Sequence, residues 1–129
     1  MQDLVQIQTT ILFAGIFGIL HVLFTLRVGA YRFKSGISLG DDGDKELRNR
    51  IRAHGNFIEN VPIALLLLLL NDLNGLADNT LMILGSVLLV SRLLHYVMIV
   101  SRTLPVVLRP ISMLGTLGTI LASAILLLV

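Results

Sequence analysis

Between positions 50 and 70 the chain runs Arg50, Arg52, His54, Asn56, Glu59 and Asn60 straight into an unbroken apolar stretch at 61–70. No other feature constrains the fold as much. Ten apolar residues rise about 15 Å as a helix, half of the roughly 30 Å hydrocarbon core of a bilayer. A helix that crosses a membrane here must therefore start upstream, at Arg52 or Arg50. That start puts Asn56 and Glu59 below the headgroups and leaves the arginines near the interface. A charge at the bilayer centre costs roughly 2.5 to 3.5 kcal/mol on insertion scales, so such a residue faces protein or a watery cavity and has a partner. Glu59 needs a cation within the membrane, and several polar residues on one helix face read as a binding site.

The remaining chain supports the membrane reading. It is 55% hydrophobic over 129 residues, too apolar for a soluble domain of this size. Three further segments, 4–26, 81–100 and 111–129, are long enough to span. The first carries Asp3 in place of a basic start and has no small-residue cleavage site before a polar sequence, so it is expected to remain as an anchor. The expected fold is all-α and integral to the membrane, a four-transmembrane-helix up-down bundle forming one domain over 1–129. With no Cys, the chain has no disulfide, thiolate metal site or cysteine nucleophile, so any thiol chemistry must come from a ligand. The net charge of +2 and the scattered basic residues give no nucleic-acid-binding stripe.

The connections at 33–45, 71–78 and 101–110 read as surface turns. Arg27, Arg32, Lys34, Lys45, Arg48, Arg50, Arg102 and Arg109 lie in or beside the first and third of them, and the second has no basic residue. The positive-inside rule then places both termini on the non-cytoplasmic side and the basic loops in the cytoplasm. Small residues at Ala14 and Gly18, and at Gly118 and Ala122, permit close helix packing.

Helical spacing aligns the polar residues. Arg48, Arg52, Asn56 and Glu59 follow at steps of four, four and three and share one stripe. Arginine supplies a rigid fork for carboxylates, asparagine donates and accepts, and glutamate accepts from an ammonium. The set suits a ligand with carboxylates, peptide groups and an amine; the structural alternative is a polar network that glues helices together. Ser91, His95 and Arg102 form a second stripe, and His21, Thr25 and Arg32 a third. Arg32 reads as a ligand contact, His21 and His54 as structural, Arg50 as a snorkelling cation, and Tyr96 has no assigned role. Arg109 opens the fourth span.

At these residues the chain resembles the MAPEG family, membrane-associated proteins of eicosanoid and glutathione metabolism, and in particular its short bacterial members. The family pattern Arg-Ala-His-x-Asn-x-x-Glu with a following proline is matched by Arg52, Ala53, His54, Asn56, Glu59 and Pro62. A later Arg-x-x-His is matched by Arg92 and His95, and an arginine at the start of the fourth helix by Arg109. The resemblance implies a homotrimer in the inner membrane of a bacterium, with glutathione held between neighbouring subunits near the cytoplasmic face. It assigns Arg32, Arg52, Asn56, Glu59 and His95 to glutathione binding and Arg109 to stabilising the thiolate. That thiolate would attack a lipophilic electrophile arriving from the lipid bilayer, in a transferase or peroxidase reaction.

Departures from the pattern narrow the reading. Gly55 stands where some eicosanoid-forming members are basic, Pro110 where one has a serine, and Met113 where a tyrosine often contacts the ligand. The helix-three tyrosine position falls at Ile99. A prostaglandin or leukotriene synthase is thus disfavoured. A non-catalytic lipid- or ligand-binding scaffold of the same fold is the alternative. A proton-coupled multidrug exporter is weaker, because Arg52 on the same stripe would hold Glu59 ionised.

Overall fold

The computed structural model describes residues 7–101 and 103–129. It contains four α-helices, α1 (Gln8–Ser35), α2 (Lys45–Leu73), α3 (Asp78–Val100) and α4 (Leu108–Leu128), each long and apolar enough to cross a membrane. The start of the expected first span, 4–6, and Arg102 lie outside the described residues.

The helix limits differ from the apolar runs for identifiable reasons. α1 continues beyond position 26 to Ser35, because long basic side chains can snorkel from a helix into the headgroups. Gly36 ends it in the left-handed region at φ 71°, its N–H donating to the Arg32 carbonyl. α2 starts at Lys45, well before Arg50, because Asp44 caps it by accepting from the Glu46 and Leu47 amides. α4 starts at Leu108, before position 111, and Pro110 falls in its first turn, where a missing N–H leaves no bond unmade.

The α1–α2 connection is tied down by side chains. Arg48 pairs with Asp41 at 2.6 Å, the Gly43 amide donates to the same carboxylate, and Arg32 donates to the carbonyls of Ile37 and Gly40. Tyr31 donates to Asp44 at 3.0 Å, which joins the end of α1 to the cap of α2. At the opposite end, the segment expected to begin a surface turn at 71 is instead buried helix. Asp72 accepts from the first-turn amide of Thr10, and Asn71 donates to the Ser123 carbonyl of α4, so the end of α2 caps α1 and holds α4.

Two kinds of contact hold the helices. Phe13, Phe17, Phe24, Phe57 and Tyr96 fill the junction of α1, α2 and α3, with Phe24 stacked on Tyr96 at 3.6 Å and edge-on to Phe57 at 5.0 Å. Gly85 is required there, because a Cβ at this position would run into the Phe13 ring. The α3–α4 contact is polar and small: Ser91, His95, Ser112, Thr116, Thr119 and Ser123 are all buried. Ile19, Leu26, Leu117 and Leu121 face outward, as a lipid-exposed surface requires. α1 contacts α2 and α3 but not α4, so the bundle is open along that side.

Candidate functional site

α2, α3 and α4 converge on a cleft of about 340 Å³ at the end of the bundle where α4 begins, lined by Asn49, Arg52, Asn56, His95, Ile99 and Arg109. Its wall has two guanidiniums, two amides and an imidazole, and none of the described residues lining it is acidic. The first-turn amides of α4 are already used, Leu108 donating to the Pro105 carbonyl and Arg109 to the Val106 carbonyl while Pro110 has no N–H, so the positive charge of the cleft comes from its side chains.

Each polar group is held from behind. Arg92 is only 2% exposed, and its Nη1 donates to Asn56 Oδ1 at 2.6 Å while Nη2 meets Met113 Sδ at 3.6 Å. Its Nε has no partner among the described residues. Arg92 thus holds the Asn56 side chain by its oxygen where it borders the cleft. His95 Nδ1 lies 2.9 Å from Ser112 Oγ, and that hydroxyl donates to the Arg109 carbonyl at 2.8 Å. A hydroxyl has one hydrogen, so the histidine is the donor to Ser112 and its Nε2 keeps a lone pair in the neutral ring. The same contacts fix α4's first turn against α3, and Arg109 Nε adds a long bond to the Met98 carbonyl at 3.4 Å. Among the described residues, neither Nη group of Arg109 has an acceptor.

Of the expected site residues, the structure brings Arg52, Asn56, His95 and Arg109 to one cleft. Arg32 and Glu59 do not line it. Glu59 is exposed, two turns deeper than Arg52 on α2, or about 10 Å along the axis. Among the described residues neither Arg52 nor Glu59 forms an ion pair, so the expected intrahelical coupling between them is absent. Arg32 sits on α1, which does not touch α4, and its guanidinium is turned into the 36–40 loop. Arg48, aligned with the stripe in sequence, is likewise taken by Asp41. Asn49, Arg92 and Ser112 were missed as site residues. A buried arginine within an otherwise apolar span was the available signal for Arg92; Asn49 and Ser112 gave none, since both are ordinary at helix ends.

On the other side of the molecule His54 is held by a hydrogen bond and His21 is exposed. His54 Nε2 lies 3.1 Å from Thr25 Oγ1, whose hydrogen is donated to the His21 carbonyl, and the His21 and His54 rings are 5.4 Å apart. His21 edges an apolar groove of about 430 Å³ between α1 and α2, in which Ala14, Gly18 and Pro62 leave room.

The profile of the MAPEG family matches residues 10–129. The chain is similar to the inner membrane protein YecN of Escherichia coli K12, with 39% identity over 85 residues, 66% of this chain and 65% of that protein. YecN of E. coli O6:H1 strain CFT073 matches to the same extent. The matched region thus spans somewhat less than two thirds of these relatives. No solved structure matches significantly. With the profile running through all four helices and the residues of the cleft, the chain belongs to the MAPEG family.

Proposed function

We propose that this protein is a membrane-bound glutathione-dependent transferase, active as a homotrimer in the inner membrane. The observation that carries the reading is the cleft itself: Arg52, Asn56, His95 and Arg109 gathered around a space with no carboxylate among the described residues lining it. Glutathione matches this donor set with two carboxylates and two peptide groups, and it supplies the thiol that the cysteine-free chain lacks. Its ammonium needs an acidic partner, for which Glu59 is exposed on the continuing face of α2. Arg32 would complete the carboxylate contacts only in a neighbouring copy's cleft, since α1 and α4 of one chain do not meet, and only by releasing the carbonyls of Ile37 and Gly40.

The chemistry is thiol activation. A thiol of pKa about 8.5 is mostly protonated at neutral pH, and a permanent cation beside it favours the thiolate. Arg109, with no acceptor at either Nη group among the described residues, provides that charge, and His95 Nε2 accepts a hydrogen bond from the ligand. The sulfur pair then forms a bond to an electrophilic carbon of a lipophilic substrate, and the leaving group departs with its electrons. A lipid peroxide would instead be reduced by two thiols to an alcohol and water, with glutathione disulfide as the other product. The substrate enters from the bilayer, and the basic cleft end lies on the cytoplasmic side with both termini opposite.

The test is ultraviolet absorbance of the thiolate when glutathione is added to the purified protein. Arg109→Ala should abolish the absorbance while binding persists, and Arg52→Ala and Glu59→Ala should weaken binding at least tenfold. Unaltered affinity in both binding variants would overturn the site, and a single-subunit mass under native conditions would overturn the trimer. A non-catalytic ligand-binding protein is the second reading, favoured by Ile99 in the cleft wall and by Met113 engaging Arg92, which leave no phenol hydroxyl beside the cation. It predicts glutathione or lipid binding without thiolate absorbance.

A further inference from the structure

A second cluster of cations lies on a different side of the molecule. α1 and α2 enclose a cleft of about 350 Å³ lined by Arg27, Ala30, Tyr31, Lys34, Glu46 and Arg50, three cations against one carboxylate. Arg50 is fixed within it, with Nη2 2.7 Å from Glu46 Oε1 and its guanidinium 4.8 Å over the Tyr31 ring. Tyr31 is itself held by Asp44. Arg27 and Lys34 are exposed and form no ion pair among the described residues. The cleft is therefore a rigid wall with an excess of positive charge.

Its depth is set by the length of α1. Counting about 20 residues from Gln8 across the hydrocarbon core reaches Arg27, so Arg27 marks the boundary and Lys34, two turns on, lies among the headgroups. On α2 the same count back from Leu73 ends at His54, which puts Arg50 about 6 Å into the headgroup layer. All three cations thus stand at the height of lipid phosphates.

Arg27 also borders a second groove, about 240 Å³, formed with Tyr96, Val97, Val100 and Ser101 of the α3 end. Val97 is exposed there, and the Tyr96 ring lies 5.8 Å from the Arg27 guanidinium. The Tyr96 hydroxyl is buried with no hydrogen-bond partner. Arg27 therefore joins a polar cleft at headgroup level to an apolar groove. A free phosphate needs only the first. A glycerophospholipid would use both, its phosphodiester meeting Arg27, Lys34 and Arg50 and its chains running along α3 past the exposed Val97.

We infer that the Arg27, Lys34 and Arg50 cleft is a binding site for the phosphodiester headgroup of an anionic membrane phospholipid, separate from the α2–α3–α4 cleft. The net positive charge favours an anionic headgroup over a zwitterionic one, by roughly fivefold per basic residue near the surface.

The experiment is native mass spectrometry of the purified full-length protein in micelles doped with phosphatidylglycerol, phosphatidylcholine or inorganic phosphate. Phosphatidylglycerol adducts should exceed phosphatidylcholine adducts and survive millimolar phosphate. Arg27→Ala/Lys34→Ala should reduce them about thirtyfold, with helix content unchanged by circular dichroism. Lys45→Ala, which removes a charge outside the cleft, should change them less than twofold. Equal retention of the two lipids, equal loss in Lys45→Ala, or displacement of the lipid by phosphate would each overturn the inference. If the double variant does not fold, Arg27→Gln provides the same comparison with a single charge removed, and its full retention of phosphatidylglycerol would be equally decisive against the site.

Discussion

The pairing of Arg92 with Asn56 gives the sharpest test of how the cleft is built. Arg92 is buried to 2% exposure, and among the described residues its guanidinium has one oxygen acceptor, Asn56 Oδ1 at 2.6 Å, and a thioether. Asn56→Ala removes that acceptor and leaves a buried cation without an oxygen partner, a change that costs about 3 to 5 kcal/mol. Arg92→Met is different. It removes the charge and keeps much of the volume, and the released Asn56 amide borders a wet cleft, so the cost is about 0.5 to 1.5 kcal/mol. In the double variant no buried charge remains, and the loss should fall to about 1 to 2 kcal/mol, below Asn56→Ala alone. The coupling between the two sites is then about 2.5 to 4.5 kcal/mol. Denaturant titration of the purified protein in micelles, followed by helical circular dichroism, measures all four corners of the cycle. Effects that add to within about 0.5 kcal/mol would refute the claim that Arg92 depends on Asn56.

Other expectations follow from single contacts. Gly85→Ala forces a methyl into the buried Phe13 ring and should destabilise by about 1 to 3 kcal/mol, read as a lower thermal midpoint; Gly118→Ala, with open space around it, should change little. Asp72→Ala removes the acceptor at the start of α1 and should cost about 1 kcal/mol, with hydrogen exchange faster at Thr10 than at Phe24. The Asp41 carboxyl is held down to about 2 from its ordinary 3.8, first by the Arg48 hydrogen bond and then by the Gly43 amide. A lowered carboxyl pKa means stabilisation that is complete above about 4 and lost as pH falls through 2. Thermal midpoints of the wild type should therefore drop more steeply than those of Asp41→Asn between pH 4 and 2, and parallel curves would argue against the clamp.

The four spans were legible because hydrocarbon thickness imposes a length that apolar runs must meet. Their ends were not, because helices at an interface are extended by groups that hydropathy counts against them. Arg27, Arg32 and Lys34 prolong α1, Asp44 starts α2 early, and Pro110 costs nothing in a first turn. Spacing put Arg52 and Asn56 on one face, and in the structure both line the cleft beside His95 and Arg109. The same spacing put Arg48 with them, yet Asp41 lies seven residues upstream across a loop whose geometry no periodicity encodes. Asn71 and Asp72 show the same limit: polar residues at a helix end read as a surface turn until α1 and α4 arrive to use them.

The cations of this protein divide by what satisfies them. Arg48 and Arg50 have carboxylates from their own chain, Arg32 has loop carbonyls, and Arg92 has an amide; each of these holds helices or loops in place. Arg27, Lys34 and Arg52 have no such acceptor among the described residues, and Arg109 spends only its Nε on a long bond. The second group is not scattered. Arg52 and Arg109 line one cleft, and Arg27 and Lys34 line another on a different side of α2. Near a membrane boundary a guanidinium or ammonium lacking a protein acceptor is satisfied by water or by an anion, and clustering two of them in a concave wall raises the cost of leaving them to water alone. The paired cations therefore shape the two clefts, and the unpaired ones determine the sign of what enters them. Exchanging a cation between the groups tests the division directly: Arg52→Lys keeps charge but loses the fork and should weaken a carboxylate ligand, whereas Arg50→Lys should leave that cleft's ligand untouched and weaken only the lipid site.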